Sequence, residues 1–182
     1  PILHNWIFKR HHLQSVYLAF HVLPERLESA IQSLRALGLG GFNVTVPHKE
    51  KVTAFLDHPT REVLELGAAN TLYWRNETLW GDNTDPYGFL RSLNDWQRHL
   101  KGADALLIGA GGSARSVARA LAECELQSLF IANRSPERAN TLVTLCETTF
   151  GLNAQSIPLH KAPDYLSQVK LVVNTTSVGM AS

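Results

Sequence analysis

Cysteine is scarce in this chain, and neither sign of charge is in marked excess. Only Cys124 and Cys146 occur among 182 residues, both within helix-like apolar segments. That argues against a disulfide framework and predicts buried, reduced thiols in a cytoplasmic protein. The net charge is +1, and the lysines and arginines are spread along the chain without forming a stripe, so no nucleic-acid partner is indicated. No apolar run reaches the ~18 residues of a membrane span, and the opening residues carry no signal-peptide pattern. The eight histidines show no paired ligand spacing, so no metal site is expected. Repeats and low-complexity tracts are lacking too. What is present is 45% hydrophobic content, enough for the core of one large or two small domains. The chain opens at Pro1 directly in a helix-like segment, PILHNWIFKRHH, and stops at SVGMAS soon after an apolar strand, so both ends are expected to be cut.

The first informative stretch is FNVTVPHKEKV, Phe42 to Val52. Phe42, Val44 and Val46 alternate with Asn43 and Thr45, the period-two pattern of a strand with one apolar face. Pro47 stops the ladder and suits the first turn of a helix, so HKEKVTAFLDH is expected to continue as one. Lys49 then sits near a helix N-terminus, where the partial positive charge of the backbone opposes it. A lysine kept in such a place is a candidate proton carrier. Upstream, SVYLAFHVL (15–23) predicts a strand and PERLESAIQSLRALG a helix, with Pro24 at its start and Gly38 at its end. Together with the 42–46 strand this is a β-α-β unit, expected to be parallel with a right-handed crossover. Downstream, a short helical piece is predicted over 61–66 and a hairpin over NTLYWRNETLWGDN, turning at Asn76 and Glu77. TDPYGFLRSLNDWQRHL is helical in period from about Pro86 and is expected to connect two lobes.

From Ala103 the pattern becomes strict alternation of strand and helix, which implies a parallel, doubly wound sheet. The loop GAGGSAR leaves a strand and opens a helix. In that context Gly109 supplies the tight turn, Gly111 the close approach of a pyrophosphate, and Ala114 the small third position, while N–H groups at the helix start bind phosphate oxygens. The candidate binding loop is therefore Gly109, Ala110, Gly111, Gly112 and Ser113. The next strand ends in Asn133, followed by Arg134, Ser135 and, one helical turn on, Arg138. No carboxylate stands there to hold a free ribose hydroxyl or repel a 2′-phosphate, and arginine presents a fork of donors, so NADP is expected over NAD.

The motifs NVTVPHK, GAANTL, GDNTD, GAGGSAR, NRSPER and NTTSVGM, in this order and spacing, resemble shikimate dehydrogenase, or more broadly the shikimate/quinate dehydrogenase family, over essentially the whole chain. The resemblance implies an α/β, two-lobed fold: a substrate-binding catalytic domain over 1–85, an interlobe helix over 86–102, and a Rossmann-type NADP-binding domain over 103–182 that is incomplete. A serine-x-serine substrate clamp is implied just before Pro1, and further strands and a glutamine-bearing C-terminal helix beyond Ser182.

Hydride transfer between NADPH and the ring ketone of 3-dehydroshikimate is the implied reaction. Lys49 and Asp85 are the implied catalytic pair, Thr45 and Asn70 hold substrate hydroxyls, and Thr175, Thr176 and Ser177 lie in a loop beside the nicotinamide. Where the family more often has glycine after GDNTD, this chain has Pro86. His48 is expected to point away from Lys49, Lys51 to face solvent, and Asp82 and Asn83 to serve the hairpin and turn. The expected partner is a small molecule, with the protein a monomer or homodimer. Two other readings stay open: a quinate/shikimate dehydrogenase with relaxed cofactor use, and a non-catalytic NADP-sensing module on the same fold.

Overall fold

A computed structural model describes residues 1–179 and divides the chain into two compact units, Pro1–Gly38 and Leu39–Ser182. In the first, helix α1 (Ile2–Arg10) is followed by an irregular stretch and by helix α2 (Leu27–Ala36). Pro24 opens the 3-10 turn that leads into α2, as its fixed φ favours. The Asn5 side chain holds the irregular stretch at both Tyr17 backbone groups, donating to the carbonyl at 2.8 Å and accepting from the N–H at 2.7 Å. The strand expected over 15–23 is not formed: the segment has no regular secondary structure and carries no ladder. β-propensity describes fit to a half-buried pleated surface, and here Val16, Leu18 and Phe20 are all exposed.

The second unit holds two sheets. The first runs β1 (Gly41–Asn43), β2 (His58–Pro59), β3 (Thr71–Arg75) and β4 (Thr78–Asp82), in the order β1-β3-β4-β2, with helix α3 (Arg61–Leu66) after β2. β1 is therefore antiparallel to β3, pairing Phe42 with Leu72, and the expected parallel β-α-β unit does not occur. It is also shorter than the predicted 42–46 strand, because β3 begins at Thr71. Beyond Asn43 one bond continues the pairing, from Val44 N–H to the Asn70 carbonyl at 2.8 Å. The hairpin turns at Asn76 and Glu77 as expected, both with positive φ. Thr60 caps α3 by accepting from the Val63 N–H, and Gly67 closes it in the left-handed conformation.

The helix expected from Lys49 is instead a turn followed by a 3-10 segment, Lys51–Phe55. An α-helix would need the Lys49 carbonyl to accept from Thr53, but that carbonyl accepts from Ala69 N–H at 2.8 Å. With that acceptor taken from outside, one i→i+4 bond remains, from Val52 N–H to the His48 carbonyl at 2.9 Å, and Thr53 N–H turns to Glu50 in the tighter i→i+3 pattern. Lys49 thus does not sit at an α-helix N-terminus, and the field argument for its unusual charge falls with the helix.

Helix α4 (Asp85–Leu93), continued by a 3-10 segment (Asn94–His99), leads to the second sheet. This comprises β5 (Asp104–Ile108), helix α5 (Gly112–Ala122), β6 (Ser128–Asn133), helix α6 (Pro136–Leu145), β7 (Ala154–Pro158) and β8 (Leu171–Asn174). All pairs are parallel, in the order β7-β6-β5-β8. Period two is visible in the packing. Ala105 and Leu107 join the core under α5 and α6, whereas Leu106, Ala132 and Ile157 pack on the opposite face around Ala162 and Tyr165. Cys124 and Cys146 are free and buried, and burial pushes the Cys146 thiol up to about 12. No helix among the described residues is long and apolar enough to cross a membrane.

Candidate active site

The carboxyl ends of β5, β6 and β8 share one edge of the sheet, because Ile108 is in register with both Ala132 and Asn174. Sequence order reverses at β5, which has β6 on one side and β8 on the other. Ligands of open α/β sheets bind at such a point. Gly109 turns the chain there with φ +112°, and a Cβ on it would lie 2.5 Å from Thr175 Oγ1. Thr175 is itself fixed by donating its hydroxyl to the Ile108 carbonyl at 2.8 Å. Ala110 is buried beside this turn. At Gly111 a Cβ would meet only the tip of Arg138, at 3.9 Å, so the loop is open to a ligand backbone on that side. No side chain caps α5, which leaves the first-turn N–H groups around Gly112 and Ser113 as donors for an anion. Open space at Gly111, uncapped donors and nearby arginines fit a dinucleotide phosphate chain.

Asn133 ends β6 and donates to the Ser135 carbonyl at 3.0 Å. Ser135 caps α6, accepting from the Arg138 N–H. Its hydroxyl also donates to Glu137, holding that carboxyl below its usual range. Arg134 is exposed and has no ion-pair partner among the described residues. Arg138 has one: its guanidinium pairs with Glu50 at 3.0 Å. After β8, Thr176 donates its hydroxyl to Asn174 Oδ1 at 2.7 Å and accepts from Val178 N–H, while Ser177 is exposed. Met180, the last residue of NTTSVGM, lies outside the described residues.

Facing the glycine loop are the residues between β1 and α4. Lys49 Nζ donates to Asp85 Oδ2 in a close ion pair, with the lysine side chain only 12% exposed. The second carboxylate oxygen, Oδ1, accepts from Asn70 Nδ2 at 2.7 Å. Asn70 is buried and also accepts the Thr84 N–H at 3.0 Å through Oδ1. Asp85 begins α4, where the helix field favours its negative charge, and Asn83 Oδ1 accepts its N–H at 3.1 Å. Asn83 is fixed in turn by donating to the Ala68 carbonyl at 2.9 Å, and Asp82 accepts from Thr60 and from Asn83 N–H, the turn roles expected of both residues. Lys49, Asp85 and Asn70 are thus brought together. Thr45 is exposed just upstream and its hydroxyl is not among their hydrogen bonds. Lys51 is exposed, as expected, and His48 is buried.

Gly112 joins the two groups. A Cβ there would stand 3.3 Å from the Lys49 Cβ and 3.5 Å from the Ala68 Cβ, so the glycine lets the lysine turn lie against the phosphate loop. Three arginines reinforce the contact. Arg115 donates to the Leu66 carbonyl at 3.0 Å and approaches Glu50 at 3.7 Å. Arg119 lies 3.8 and 3.7 Å from Glu62 and Glu65, and Glu62 is pushed above its usual range, mainly by burial. Arg138 is the third. Sequence reasoning missed Glu50, Arg115 and the bracing role of Asn83. The small residues around Arg115 in α5 signalled close packing on that face but not its partner.

A parallel sheet with a glycine turn at its switch point, faced by a partly buried lysine–carboxylate pair, defines a Rossmann-type α/β protein with a second group of side chains over its nucleotide edge. Two family models match: the shikimate dehydrogenase substrate binding domain over residues 1–72 and shikimate / quinate 5-dehydrogenase over 92–180. The chain belongs to the shikimate dehydrogenase family. It is 39% identical over 180 residues to the shikimate dehydrogenase (NADP(+)) of Caldanaerobacter subterraneus subsp. tengcongensis, covering 99% of this chain and 64% of that relative. The crystal structure of shikimate dehydrogenase from Aquifex aeolicus superposes with a TM-score of 0.87 at 36% identity, covering 100% of this chain and 65% of the other. That of shikimate 5-dehydrogenase from Thermus thermophilus in complex with NADP(H) and shikimate gives 0.80 at 37% identity, covering 98% and 64%. The chain therefore spans less than two thirds of the length of these relatives.

Proposed function

We propose that the protein is an NADP-dependent shikimate dehydrogenase, reversibly reducing 3-dehydroshikimate to shikimate in the cytoplasm as part of aromatic amino acid biosynthesis. The observation that carries this reading is the Lys49–Asp85 ion pair, braced by Asn70 and lying against the glycine loop. In this reading residues 1–85 bind substrate, 86–102 link the lobes and 103–182 hold the cofactor. The Thermus relative, whose structure contains both NADP(H) and shikimate, supports the pairing of ligands.

Reduction adds a hydride to the ketone carbon and a proton to its oxygen. Bound NADPH supplies the hydride. The charged Lys49 stabilises negative charge developing on the oxygen and donates a proton to it, and Asp85 holds that ammonium in position. In the reverse direction Lys49, once neutral, takes the hydroxyl proton. Thr45 and Asn70 hold ring hydroxyls, while Gly109 to Ser113 and the α5 N–H groups hold the pyrophosphate. Thr175, Thr176 and Ser177 border the nicotinamide. Asn133, Arg134, Ser135 and Arg138 receive the adenosine end, and the exposed Arg134, with no ion-pair partner among the described residues, favours NADP over NAD. Initial rates with shikimate or quinate, each paired with NADP or NAD, test the reading. Rapid reduction with shikimate and NADP is expected; a preference for quinate with NAD would move the protein to the quinate branch, and NADPH binding with no turnover would make it a sensor.

A further inference from the structure

Glu50 follows the candidate catalytic lysine directly, yet it points at the nucleotide side. Its Oε1 accepts from Arg138 Nη2 at 3.0 Å, and its Oε2 lies 3.7 Å from Arg115 Nη2. Its Cγ would be 3.8 Å from a Cβ on Gly112, and Arg138 Nη2 3.9 Å from one on Gly111. The Glu50–Arg138 pair therefore lies across the glycine loop, bridging the lysine turn to the first turn of α6. Of the two arginines after β6, Arg134 is exposed without an ion-pair partner among the described residues, whereas Arg138 is engaged.

We propose that Glu50 sets cofactor selectivity by competing with the 2′-phosphate of NADP for Arg138. The inference rests on the NADP reading above. A phosphate reaching Arg138 must take a guanidinium already paired with a carboxylate, so part of its attraction is spent breaking that pair. NAD lacks the 2′-phosphate, so freeing Arg138 gives it no comparable gain. Glu50 thereby moderates NADP affinity and leaves NAD affinity almost unaltered. The pair is partly exposed, at 57% for Arg138 and 35% for Glu50, so the effect is modest and falls with salt.

The test is direct binding of NADPH and of NADH, measured by titration calorimetry on the unsubstituted protein, Glu50→Gln, Arg138→Met and the double variant. Glu50→Gln is expected to tighten NADPH by roughly two- to fivefold and to leave NADH unchanged, and the gain should vanish when Arg138 is methionine. Equal tightening of both nucleotides would mean a general charge effect at the pyrophosphate, and tightening that persists with Arg138→Met would mean direct repulsion. Either result, or no change at all, overturns the proposal. Failure of the unsubstituted protein to bind either nucleotide would instead overturn the NADP reading beneath it.

Discussion

Asp85 has two oxygens with two different tasks. Oδ2 takes the Lys49 ammonium and Oδ1 takes the Asn70 amide, so the carboxylate cannot turn without losing one of them. Asn83 fixes the backbone beneath it from a buried position. Asp85→Asn removes the charge while keeping the shape. It leaves a lysine that is only 12% exposed without its anion, and a hydrogen bond to a charged group contributes about 1.5–3 kcal/mol. Chemical unfolding is expected to report a loss of about that size, discounted for the partial exposure of Asp85, together with a fall in turnover. Unchanged stability and turnover would show that the pair does nothing. Lys49, Asp85 and Asn70 were legible in the sequence because they sit in motifs whose order and spacing are distinctive. Glu50 and Arg115 were not, since their pairing depends on which loops meet in space, and no local pattern encodes that.

At the scale of elements, turns govern the site more than helices do. The Lys49 carbonyl is captured by Ala69, which converts an expected helix into a turn and holds the lysine against the segment carrying Asn70. Local periodicity could not reveal this, because the competing donor lies 20 residues away along the chain. The same limit explains the 15–23 segment: its residues favour a strand, but a strand is defined by its neighbour, and no ladder reaches it among the described residues. The parallel sheet was legible mainly because β5, β6 and β8 are short apolar runs in strict alternation with helices or turns, whereas β7, AQSIP, carries little apolar signal of its own. Gly109 was legible for the same reason, as the exit from such a strand. Its φ of +112° and a Cβ position 2.5 Å from Thr175 Oγ1 make Gly109→Ala doubly unfavourable. Strained backbone alone costs of order 1–3 kcal/mol. The urea midpoint should therefore drop with little change in slope, and nucleotide affinity should drop with it. A variant as stable as the parent would mean that the turn is not under steric constraint.

In the whole molecule, the proposed reacting position lies where a lysine–carboxylate group meets the edge of a parallel sheet. Two independent observations within residues 39–179 support it: a glycine loop that fits a phosphate chain, and a charged pair held against it through Gly112. Either alone would suit a binding protein. Together they support the proposed meeting of a hydride donor and a proton donor at one carbonyl. The most direct measurement is the kinetics of NADP reduction by shikimate, comparing the unsubstituted protein with Lys49→Ala. Loss of a positioned proton-transfer group is expected to lower kcat by about 10²- to 10⁴-fold, with KM changing only a few-fold. An equal loss in affinity and turnover, or a variant as active as the parent, would contradict the account.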